Sequence, residues 1–63
     1  MAKTYIYLHH QGFDVFLKDR ELTKEECYCA CCDDYDTLIT VCENETTLKA
    51  TLQELYRTGY EAI

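Results

Sequence analysis

Fourteen side chains limit what this sequence can build. Seven Leu, three Ile, two Val and two Phe are its whole stock of large aliphatic and phenylalanine surface in 63 residues. A core that thin serves one small unit, so 1–63 reads as a single α+β domain. Chains of this size usually add a disulfide, a metal or an oligomer interface to reach stability, and these residues offer material for each.

Charge narrows the partners. Twelve acidic residues against six basic ones give a net charge of −6, and the basic residues (Lys3, Lys18, Arg20, Lys24, Lys49 and Arg57) are scattered. Neutralising a phosphate backbone needs clustered Lys and Arg, so nucleic acid is excluded as a partner. A membrane is excluded too, because no apolar run approaches the ~18–20 residues of a span. Cys27, Cys29, Cys31 and Cys32 crowd into six residues, with Cys42 further on. Disulfide frameworks space their cysteines to staple distant segments. Without a signal-peptide layout at the start, reduced thiols and a cytoplasmic location are expected.

Residues 3–9 and 13–18 are rich in aromatic and β-branched types and read as two strands around Gln11-Gly12. A two-residue loop there pairs Leu8 with Val15, Tyr7 with Phe16, Ile6 with Leu17 and Tyr5 with Lys18. That register puts Ile6, Leu8, Val15 and Leu17 on one face, and Tyr5, Tyr7 and Phe16 on the other. Thr23-Lys24-Glu25-Glu26 has the form of a capping box and predicts a helix from Thr23 through about Cys32, stopped by Asp33-Asp34. Tyr35–Cys42 reads as a third strand. From Thr46 to Thr58, Leu48, Leu52 and Leu55 recur at helical spacing with Tyr56 widening the stripe, and Gly59 suits the residue after the last turn.

The resulting order is ββαβα. It predicts a three-stranded mixed sheet, order 2-1-3, with both helices on the aliphatic face. The Tyr5, Tyr7 and Phe16 face is then left open for a partner, and too much apolar surface to leave wet predicts a two-fold homodimer.

The cysteine run is the one unusual local feature. On a helix, Cys27 and Cys31 would share the buried face as small hydrophobes, with Cys29 exposed. A zinc set built from Cys29, Cys32, Cys42 and His9 is the alternative. A redox Cys-x-x-Cys would sit at a helix N-terminus, whereas this one would lie late in a helix beside Asp33 and Asp34. The acidic residues lack the Asp-x-Asp-x-Asp-Gly pattern of a calcium loop. No P-loop, dinucleotide fingerprint or hydrolase elbow occurs, and a pocket of roughly 300–1,000 Å³ is hard to build at this length. No enzyme activity and no cofactor are therefore expected.

These residues point to a small acidic, non-catalytic protein-interaction module that meets a protein partner, itself included, through Tyr5, Tyr7 and Phe16. In size and charge alone, the chain is similar to the regulators and inhibitors of phages and mobile elements. The alternative is a zinc-binding or thiol protein using the Cys27–Cys32 cluster with Cys42.

Overall fold

The computed structural model describes residues 3–63. The elements run β1 (Thr4–Leu8), β2 (Asp14–Lys18), α1 (Lys24–Cys27), β3 (Tyr28–Cys29), β4 (Asp34–Tyr35), β5 (Thr37–Cys42), α2 (Glu45–Arg57) and β6 (Glu61–Ala62). The fold class is α+β, with a mixed sheet and two helices.

The first hairpin has the register that its side-chain pattern requires: Tyr5 pairs with Lys18, Ile6 with Leu17, Tyr7 with Phe16 and Leu8 with Val15. Regular pairing closes where the His9 N–H donates to the Asp14 carbonyl at 2.9 Å. The connection is therefore wider than a two-residue turn, and the same register is kept. Gly12 sits in this loop at φ +76°, a backbone state that costs a residue with a Cβ.

The main sheet has four strands in the order β5-β1-β2-β6, rather than three in the order 2-1-3. Strand β1 does lie between β2 and β5, antiparallel to both. The addition is β6, parallel to β2, and it forms because of how α2 ends. Gly59, at φ +102°, lets the Gly59 N–H reach the Tyr56 carbonyl (3.1 Å) and the Tyr60 N–H reach the Leu55 carbonyl (2.9 Å). This left-handed cap turns the chain back along β2. The Glu61 and Ile63 N–H groups then donate to the carbonyls of Phe13 and Val15.

The core is Ile6, Val15 and Cys42, with Leu8, Leu48, Leu52, Leu55 and Tyr60 packed on it. Helix α2 starts at Asn44, whose side chain accepts the Thr47 N–H at 2.8 Å. Its leucine stripe faces the sheet, whereas Tyr56 is half exposed and does not widen that stripe.

The cysteine segment also departs from the expected helix. The capping box at Thr23 is present, with Thr23 Oγ1 accepting the Glu26 N–H and Glu26 accepting the Thr23 N–H. The helix it starts ends at Cys27, one turn later, and does not reach Cys32. Cys and Tyr are weak helix formers, and Tyr28 gains a cross-strand partner by turning extended. Its ring meets that of Tyr35 at 5.0 Å across a second, two-stranded sheet, β3-β4. Asp33 takes the left-handed position of the turn at φ 53°, a conformation Asp tolerates better than most residues. Cys31 is consequently exposed, and only Cys42 among the five thiols is fully buried.

Among the described residues, no helix is long and apolar enough to cross a membrane.

Candidate metal centre

Two turns meet at one end of the sheet. The β1–β2 loop brings His9, His10 and Gln11, and the β3–β4 turn brings Cys29 and Cys32. Cys29 Sγ, Cys32 Sγ and a ring nitrogen of His10 all lie within 4.8 Å of one another. The Gln11 side-chain amide donates to Cys32 Sγ at 2.9 Å, which ties the two turns together.

Asp36 orients the imidazole. Its Oδ1 accepts the His10 backbone N–H at 2.9 Å and lies 2.8 Å from His10 Nδ1. The His10 and Asp36 side chains are only 7% and 15% exposed. With Nδ1–H donated to the carboxylate, Nε2 is the nitrogen that keeps a free lone pair. The Asp36 hydrogen bond also raises the His10 pKa, helped by the field of Cys29. The ring of His9 stacks on that of His10 at 4.2 Å between centroids.

The two thiols differ. Cys29 is held below its ordinary pKa, first by the Cys32 backbone N–H, then by the Cys32 side chain, with the Cys31 N–H and the charge of His10 adding to it. Cys32 is pushed up, mainly because its thiol proton is engaged by Cys29. Backbone N–H groups directed at a sulfur are a property of a tight turn, where consecutive amides converge. A helix interior spends those amides on its own carbonyls.

Of the four zinc ligands expected, Cys29 and Cys32 are in place and Cys42 is not. Cys42 is 1% exposed in the core, where its thiol donates to Thr51 Oγ1 at 3.6 Å. His9 joins His10 and Asp36 in a neighbouring group of potential ligands, but not the thiol group. His10 takes the place that the expectation gave to His9. Strand alternation carries the reason: His9 still pairs with Asp14, whereas His10, already in the loop, turns toward the β3–β4 segment. The sequence signals that point to this arrangement are the low helix propensity of the cysteines and Tyr28 between Cys27 and Cys32, and Asp36 set between two extended stretches.

The aromatic face is also different from its expected state. Tyr7 is 2% exposed, stacked on Phe16 at 5.6 Å, and its hydroxyl accepts the Leu22 N–H at 2.8 Å. The chain after β2 therefore lies over this face, opposite the leucines of α2, and the face is not open. Tyr5 and Phe16 remain half-buried. Below that cover runs an open groove of about 720 Å³, bordered by Phe16, Leu17, Leu22 and Ile63. This is more space than the length suggested. Its Arg20 and Glu26 are paired with each other.

No known protein family, curated protein or solved structure matches the chain.

Proposed function

We propose that this chain is a small non-catalytic metal-binding module, holding one zinc ion between its hairpin loop and its cysteine turn. The observation that carries this reading is the convergence of Cys29 Sγ, Cys32 Sγ and a His10 ring nitrogen from two separate loops. Two thiolates and an imidazole suit a borderline-soft ion and not magnesium or calcium. Zinc–sulfur bonds of about 2.3 Å at a tetrahedral angle put two sulfurs roughly 3.8 Å apart, inside the span the three groups already occupy. A carboxylate on one nitrogen of a histidine is the usual support for an imidazole that ligates through the other, and Asp36 would play that part with Nε2 as the ligand atom. The ion would link residues 10 and 29–32, adding a cross-link that a core of this size needs.

The test is cobalt titration of the reduced protein. One equivalent of Co²⁺ should produce sulfur-to-metal charge transfer and tetrahedral d–d bands, both displaced by Zn²⁺. Cys29→Ser and Cys32→Ser should each remove the bands, whereas Cys31→Ser and Cys42→Ala should keep them. A wild-type protein without a sulfur charge-transfer band, or Cys29→Ser with the bands intact, overturns the reading.

A further inference from the structure

The main sheet ends on one side in β5, whose outer edge carries no pairing. Among the described residues, no backbone hydrogen bond joins Thr37–Cys42 to any strand other than β1. Exposed strand edges are ordinarily protected by Lys, Pro, extreme shortness, a β-bulge or a covering segment, and β5 carries a bulge but neither Lys nor Pro. Strand β5 has six residues, Thr-Leu-Ile-Thr-Val-Cys, with no charge and no proline. Its bulge falls at Ile39, the one residue left without a partner on β1. Leu38 and Ile39 are 37% and 40% exposed.

The charges beside this edge identify what fits it. No Lys or Arg occurs between Lys24 and Lys49, while Asp33, Asp34 and Asp36 precede the strand and Glu43 and Glu45 follow it. A second copy docking antiparallel about a two-fold axis would set Asp36 against Glu43 and Asp34 against Glu45 at both ends. It would also bring together two chains that each carry −6. Like charges directly opposed across strands are destabilising. The same arrangement favours an incoming strand with cations at its ends. Lys3 already reaches Glu43 at 3.4 Å from within the chain, an example of the pairing such a strand would make.

We propose that the outer edge of β5 is a docking site for an extended, cationic segment of another protein, which adds as a fifth strand with Lys or Arg beyond both ends of a short apolar and β-branched stretch. Backbone hydrogen bonds to Thr37–Cys42 would supply the affinity, and the flanking acids the selectivity and the fast encounter. This inference does not rest on the metal reading, although Asp36, one of the flanking acids, also orients His10.

The experiment uses two ten-residue probes, Lys-Arg-Thr-Val-Thr-Ile-Thr-Val-Lys-Arg and its counterpart with Glu at the four charged positions. Titration into labelled full-length protein, followed by amide exchange, should show the cationic probe binding at least tenfold more tightly. Exchange at amides within Thr37–Cys42 should slow, and added salt should weaken the complex. Ile39→Lys, a charge on the exposed bulge, should reduce binding at least tenfold with the circular dichroism spectrum unchanged, and Thr37→Lys serves as the second variant if that one unfolds. Equal binding of the two probes, no binding of either, or protection outside β5 overturns the proposal. So does a dimer of the chain alone in which the β5 amides become protected as concentration rises.

Discussion

One carboxylate oxygen of Asp36 holds His10 at two points, taking its backbone N–H at 2.9 Å and lying 2.8 Å from its ring Nδ1. The residue before β5 thereby fixes both the position and the tautomer of a side chain 26 residues earlier in the chain. Removing the charge tests this directly. Asp36→Asn keeps an acceptor for the backbone N–H but weakens the support of the ring, and should lower zinc affinity about 10–100-fold. Competition against a chelator reads that change. Unaltered affinity would mean that Asp36 does not support a zinc ligand.

The Arg20–Glu26 pair sets an acid limit. The Arg20 guanidinium, followed by the Thr23 backbone N–H, lowers the Glu26 carboxyl from 4.5 to about 2. Because the folded value is the lower one, the contribution of Glu26 to stability is complete above about pH 4.5 and is lost as pH falls toward 2. Glu26→Gln should flatten the melting temperature over that interval relative to wild type. An NMR titration of Glu26 should give a midpoint near 2, moving up in Arg20→Ala. A midpoint already near 4.5 in the wild type would show that the pair does not form in solution.

Helix α2 allows a test of phase. Leu52 packs on the Ile6–Val15–Cys42 cluster and Gln53 is exposed. Leu52→Ala should cost about 2 kcal/mol, the low end of the range for aliphatic truncation because the side chain is only half-buried. Gln53→Ala should change stability by less than about 0.5 kcal/mol. Denaturant melts followed by circular dichroism distinguish the two, and equal effects would place the buried face elsewhere.

Tyr7 allows a similar test on the opposite face. Tyr7→Phe keeps the stacked ring but leaves the Leu22 N–H without its acceptor, at a cost of about 1 kcal/mol. The Leu22 amide should exchange faster in the variant, with the Ile6 and Val15 amides little changed. Uniformly faster exchange would instead indicate general destabilisation.

The parts of this fold legible in the sequence were those in which one periodicity had no competitor. Ile6, Leu8, Val15 and Leu17 can share a face in only one register, and the structure has it. Leu48, Leu52 and Leu55 likewise left one orientation for α2. At Cys27–Cys32 the local signals conflicted. The capping box began a helix, but of the next six residues only Ala30 favours its continuation, and a Tyr28–Tyr35 contact forms across the turn instead. Because that contact links positions seven apart through a turn over 30–33, no helical or strand periodicity reveals it. The candidate metal site depends on the same segment. With Cys29 and Cys32 on a helix, three positions apart, their sulfurs would still share one face, but no periodicity brings His10 to that face. Strand β6 escaped notice because two residues are too few to show a pattern. It exists only because Gly59 redirects the chain.

The parallel pairing of Val15 with Ala62 also imposes an order of events on folding. The β1–β2 hairpin needs only its own loop and can close in about 1–10 μs. Strand β6 cannot find its place until α2 has folded back across the sheet, and its contact carries the loop-closure entropy of the long segment from Val15 to Ala62. The last ladder to form is also the first to fray. Opening is therefore expected to begin where Tyr60 leaves the core, freeing the Phe13 carbonyl beside the β1–β2 loop, while the ladder between β1 and β2 stays joined.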